Sequence, residues 1–160
     1  MCGRFSLTAE PEEVAEFFAL MGVEDFPARY NIAPTQPILL VIAGDRPEPG
    51  SNMPDRRAML ARWGLVPAWA KNPADMPLNI NARSETAAEK PSFRTAMRHR
   101  RVLVPASGFY EWQRDGAGKR AQPYWMSLGL HIDHTFFSII LNDSVLNTVR
   151  FSIYSSSGGI

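Results

Sequence analysis

The sequence predicts an α+β fold, a mostly antiparallel β-sheet or barrel with a few short helices. Three observations carry that prediction. Apolar runs of strand length recur along the chain, bounded by proline, glycine and polar residues. Helical signals are confined to a stretch near the N-terminus and to a charged stretch in the middle. No apolar run approaches the ~18 residues of a membrane span, and there are no internal repeats.

In chain order, Thr8 to about Met21 reads as an amphipathic helix. Val14, Phe17, Phe18 and Met21 recur at three- and four-residue steps, and acidic residues occupy the first turn, where they complement the helix dipole. ILLVIA (38–43) is a short apolar run expected to be a buried strand, and AMLARWG (58–64) alternates like another. A loop with Pro67, Pro73 and Pro77 follows. NARSETAAEKPSFRTAMRHR reads as short helices split at Pro91, whose ring disfavours helix at the preceding residue. RVLVPA (101–106) and FYEWQR (109–114) are expected strands, and RDGAGK (114–119) is a turn leading to a strand around PYWMSL. The remainder changes character. All thirteen prolines lie at or before Pro123 and no glutamate follows Glu111, so residues 1–125 and 126–160 are separated as a main domain and a divergent C-terminal segment. That segment keeps strand-like apolar runs. It reads either as a sheet-rich ending with a flexible tail or as a truncated or altered terminus.

The chain has 160 residues, 45% hydrophobic and 21% charged, which suits one globular domain. MCGRFSLTAEPEE turns acidic where a signal peptide would continue apolar, and a single cysteine cannot form an internal disulfide. The expected location is therefore a reducing cytoplasm. His99, His131 and His134 have no thiolate company, so neither a metal nor another cofactor is expected. The net charge of +1 is unevenly spread: residues 1–55 sum to −6 and residues 56–101 to +7. A basic middle segment bearing tryptophans fits a polyanion partner, though basic stretches are also commonly plain solvated faces.

Cys2 raises the sharpest chemical question. Removal of Met1 leaves an α-amine and a thiol on adjacent carbons. The amine, with a reference pKa of ~7.7–8.0, condenses with an aldehyde to a Schiff base. The thiol then closes on the imine carbon as a five-membered thiazolidine, favoured by its intramolecular geometry. The ring-opened sugar of an abasic site is the aldehyde that matches a basic, tryptophan-bearing surface. Equally, a lone cysteine is often only a small buried hydrophobe. In INAR (80–83), Asn81 and Arg83 share a side of an extended segment, an amide beside a phosphate-binding guanidinium; the plain alternative is a turn residue and a surface ion pair. In GFYEW (108–112), Glu111 among aromatics is a general acid–base candidate with a pKa raised by desolvation, or else it faces solvent while its neighbours point inward. Trp63 and Trp69 flank a Gly/Pro loop, where tryptophans either stack on unpaired bases or belong to the core. Arg4, close to Cys2, is a candidate for the phosphate beside a lesion.

Six ordered motifs then coincide: MCGRF, RYNIAP (29–34), RWGLVPAW (62–69), NINAR (79–83), ETA with SFR (85–94) and RVLVPASGFYEW (101–112). Together they resemble the SOS response-associated peptidase (SRAP) family, from residue 1 to about Tyr124. The resemblance implies a compact α+β domain with a barrel-like core. It also implies a monomer that shields abasic sites in single-stranded DNA through a thiazolidine on the mature N-terminal cysteine, with autoprocessing and lyase activities alongside. By motif, Cys2 is then the nucleophile, and Asn81 and Glu111 line the active site. Arg4 and Arg83 hold phosphates, and Trp63 and Trp69 lie near the bases. One departure matters: the family carries an H-x-R-M-P-like motif whose histidine completes the site. His131 and His134 stand in HIDH, which lacks the arginine and proline, so the role is not transferred to them.

Three other classes compete. A peptidase would use Cys2 with its own amine as base. A glutamine amidotransferase, which also opens with MCG, needs an Asn-Gly pair that this sequence lacks. A decayed remnant would bind single strands without bonding to them.

Overall fold

The structure, a computed structural model, describes residues 3–44, 56–113, 122–127, 135–141 and 148–151. Its strands form two units. The first is a four-stranded antiparallel sheet in the order β2-β1-β6-β7, from Arg29–Ile32, Arg4–Leu7, Gly108–Gln113 and Gln122–Met126. The second is a barrel-like ring in the order β3-β4-β9-β8-β5, from Pro37–Ala43, Arg56–Trp63, Thr148–Phe151, Thr135–Leu141 and Arg101–Ala106. Its ladders are antiparallel except for β4 with β9. Its seam, between β3 and β5, is the single register pair Val41↔Leu103. The predicted architecture of mostly antiparallel sheet with a few short helices is the one observed.

The predicted strands in the first half of the ring and in β5, β6 and β7 all form. Two central pieces were not legible: β1 and β2 have four residues each, too few to show a period. Their pairing comes from across the chain. β1 matches β2 at Phe5↔Ile32 and Leu7↔Arg29, with a shift of register between, and matches β6 at Arg4↔Tyr110, Phe5↔Phe109 and Ser6↔Gly108. The divergent segment supplies β8, which runs along β5 from Arg101↔Ile140 to Ala106↔Thr135.

The N-terminal helix is shorter than its periodicity predicts. α1 spans Pro11–Phe17. Pro11 sits in the first turn, where its missing N–H costs nothing, and the Glu13 carboxylate accepts the Glu10 N–H at 2.9 Å. At the other end, Ala19 turns left-handed at φ 51°, and Leu20 N–H and Ala19 N–H donate to Ala15 O and Glu16 O. These two bonds make a Schellman closure, which ends the helix before Met21. Val14 and Phe18 are therefore buried while Phe17 and Met21 remain exposed. α2 (Ser84–Ala87) and α3 (Arg94–His99) flank Pro91 as expected.

Trp63 organises the core. It is fully buried, meets Phe5 edge-on at 5.6 Å between ring centroids, and donates its indole N–H to Ile80 O at 3.2 Å. The expectation that it lies near bases is corrected: it ends a strand, and no face of its ring is open to stacking. The next residue, Gly64, has φ 140°, and a Cβ there would come within 2.7 Å of Leu78. That conformation suits glycine alone among common residues.

Candidate active site

Three strands and the loop between β4 and α2 carry the predicted residues that the structure describes. Arg4 opens β1 and is half-buried; its register partner Tyr110 is the immediate neighbour of Glu111. Its Nη1 donates to Asn31 Oδ1 of β2 at 2.9 Å. Cys2, two residues before Arg4, lies outside the described residues, as do His131 and His134.

Glu111 is half-buried in β6, opposite Tyr124 of β7. Strand alternation puts it on the same face as Phe109, which packs against the core, while Tyr110 and Trp112 occupy the other face. Those two rings lie 6.5 Å apart and pack with each other. The acid is therefore not held between its two aromatic neighbours. It stands instead in line with core residues of the sheet.

The loop carries NINAR. Leu65 N–H donates to Asn79 O at 3.0 Å, and the Trp63 indole holds Ile80 O, so Asn81 follows two consecutive anchored residues. Asn81 is half-buried. Arg83 is exposed at the head of α2, where its carbonyl accepts the N–H groups of Thr86 and Ala87 at 3.2 and 2.9 Å. The link between the two parts of the site is the core itself. Phe5, next to Arg4, packs on Trp63, which bonds to Ile80, next to Asn81. Trp69, by contrast, is 57% exposed inside the turn closed by Ala70 N–H on Pro67 O.

Sequence reasoning missed three supporting groups. Asn31 orients Arg4; it lies inside RYNIAP, where polar residues on a short strand gave the only clue. Tyr110 Oη donates to Tyr30 O at 2.9 Å, tying β2 to β6 across β1. Trp125 lies over Gly108 and donates to Ser6 Oγ at 3.1 Å. A cavity of about 340 Å³ lies elsewhere, at the β3–β5 seam between Arg56 and Arg101, and none of the predicted site residues lines it. Among the described residues, no group of His, Cys, Asp and Glu is arranged to hold a metal, and no helix is long and apolar enough to cross a membrane.

Comparison with known proteins first fixes the class of fold. A phage-related protein from Bordetella bronchiseptica aligns with 94% of this chain and 68% of its own, at TM-score 0.68 and 21% identity. A protein from Bacteroides thetaiotaomicron aligns over 94% and 66%, at TM-score 0.68 and 24% identity. The chain belongs to the SOS response associated peptidase (SRAP) family, whose signature matches residues 1–144. Among its relatives, abasic site processing protein YoqW of Bacillus subtilis is 42% identical over 117 residues, 71% of this chain and 49% of that protein. Abasic site processing protein HMCES of Mus musculus is 38% identical over 101 residues, 61% of this chain and 29% of that protein. The chain thus spans about half the length, or less, of these curated relatives.

Proposed function

We propose that this chain captures abasic sites in single-stranded DNA, using Cys2 as its N-terminal residue after loss of Met1. The α-amine adds to the C1′ aldehyde of the opened sugar, and water leaves to give an imine. The thiolate then adds to the imine carbon while the nitrogen takes a proton. The net change is one aldehyde and one aminothiol to one thiazolidine and one water. Glu111 handles the protons of addition and dehydration, and Asn81 orients the carbonyl oxygen. Arg4 and Arg83 bind the flanking phosphates, and Trp69 offers a face to a neighbouring base.

The observation that carries this reading is the register of β1 on β6. Arg4, two residues after the nucleophile, lies opposite the neighbour of the one acid in GFYEW. The relatives' names, abasic site processing proteins, support the same substrate. Intact mass spectrometry of the protein, with and without an abasic oligonucleotide, tests it. The expected result is a chain lacking Met1 that gains the oligonucleotide minus one water, as a heat-stable adduct absent in Cys2→Ala. A chain shown to lack Met1 that forms no adduct would overturn the proposal.

A second reading follows from the family's description as a peptidase. An N-terminal cysteine with its own amine as base is suited to peptide cleavage. Cleavage of an external peptide by the wild type, absent in Cys2→Ala, is the result that would favour it.

A further inference from the structure

Trp125 is seated the opposite way round from most surface tryptophans, which keep the N–H end wet and the apolar body buried. Its indole N–H donates at 3.1 Å to the Oγ of Ser6, a buried serine, and that hydroxyl in turn donates to Gly108 O at 3.3 Å. The ring lies over Gly108, where a Cβ would come within 2.6 Å of it. The polar end is thus satisfied inside the protein, yet the side chain remains 49% exposed. The solvent-facing side of the indole is therefore its π-surface. Two hydrogen bonds in series, and the missing side chain at position 108, hold that surface in one pose.

The strand register extends this platform toward the N-terminus. Trp125 of β7 is the partner of Tyr110 in β6, and Tyr110 is the partner of Arg4 in β1. Directly paired residues project from the same face of a sheet, so Arg4, Tyr110 and Trp125 form one row across three strands. At ~4.8 Å per strand the row is ~10 Å long, and it starts two residues along the chain from Cys2. Glu111 is the only acid in the four strands of this sheet, and it lies on the opposite face with Phe109. These strands therefore present aromatic surface beside an arginine and no carboxylate. That chemistry suits a flat, uncharged ring carried on an anionic backbone, which is an unpaired base of single-stranded nucleic acid. We infer that Trp125 is a stacking platform for the base of a nucleotide next to the trapped lesion. The placement beside the lesion rests on the proposed capture reaction.

The test compares wild type, Trp125→Phe and Trp125→Leu, each with a thermal melt and a sedimentation run. It reads affinity for an undamaged single strand over a salt series, and the rate of adduct formation at sub-saturating abasic oligonucleotide. The rate is repeated with the nucleotide on the 5′ or the 3′ side of the abasic site replaced by a base-free tetrahydrofuran spacer. Trp125→Leu keeps apolar cover over Gly108 but loses the aromatic face, so it should bind the undamaged strand about tenfold more weakly. Its slope of log affinity against log salt is unchanged, because no charge is lost. Trp125→Phe falls between the two. With one of the spacers, wild type captures as slowly as Trp125→Leu does on the full strand, and spacer and variant together cost nothing further. A loosened sheet would instead slow capture of every oligonucleotide alike. Should Trp125→Leu melt far below wild type, Trp125→Phe against the same spacer set decides. If a folded Trp125→Leu binds and captures as wild type does, or its effect simply adds to that of both spacers, the inference is overturned and the capture reaction stands. A wild-type dimer that Trp125→Leu dissociates with DNA binding unchanged overturns it too, since a second copy then covers the face. If wild type lacking Met1 forms no adduct at all, the capture reading fails, and affinity for the undamaged strand alone decides whether Trp125 stacks on bases.

Discussion

Trp63 and Trp69 occupy one motif and have opposite fates. Trp63 is sealed between Phe5 and the Ile80 carbonyl, whereas Trp69 stands in solvent. Substitutions should separate them cleanly. Trp63→Phe loses the indole donor and part of the filled volume, leaving Ile80 O without that partner; it is expected to cost about 1–3 kcal/mol, read as a lower urea midpoint with an unchanged m-value. Trp69→Ala should leave the midpoint where it is and, on the proposed function, weaken single-strand binding by about 1–3 kcal/mol. An equal loss of stability in both variants would contradict this division. The contrast also explains why a shared motif carried two roles that spacing alone did not distinguish: burial depends on what folds over a residue.

Among the elements, α1 shows how local chemistry trims a longer pattern. The apolar repeat runs from Val14 to Met21, but the backbone reverses at Ala19, a non-glycine residue held at φ 51°. A left-handed alanine costs roughly 1–2 kcal/mol, and glycine avoids most of that at the expense of a looser unfolded chain. Ala19→Gly is therefore expected to stabilise the protein by about 0.5–1 kcal/mol, seen as a rise of a few degrees in melting temperature. A fall would mean that the Schellman closure is not the helix end in solution. β7 illustrates the opposite dependence. It lies at the sheet edge with all five residues exposed, and its Trp125 fits over β6 because position 108 has no side chain: a Cβ there would lie 2.6 Å from the indole.

For the molecule as a whole, charge and topology act together. The stretch from Arg56 to Arg101 carries +7, and Arg83, Arg94, Arg98 and Arg101 are all exposed. If a single strand runs over this surface, log affinity should fall linearly with log salt. Arg83→Ala should then flatten the slope by about 0.7, as expected for one phosphate contact, while leaving the melting temperature unchanged. A slope indifferent to Arg83 would move the strand's path elsewhere. The ring of strands gives that surface its frame, since β3, β4 and β5 are tied by ladders or by the Val41↔Leu103 seam, and the N-terminal strand is attached through Phe5 on Trp63.

What the sequence determined by itself was whatever local order dictates. The strands at ILLVIA, RVLVPA and FYEW follow from apolar patterning, the break at Pro91 from ring sterics, and the family from six motifs in order. Arg4, Asn81, Glu111 and Arg83 were nameable as chemistry because their residue types are informative without coordinates. Tertiary structure alone decided that a four-residue strand at Arg4–Leu7 would pair with Gly108–Gln113, that Glu111 would share a face with Phe109, and that Asn31 would hold Arg4. The reason is physical: a period is written in neighbours along the chain, whereas register is a choice among partners about a hundred residues away, settled by how the apolar faces of both strands meet the same core.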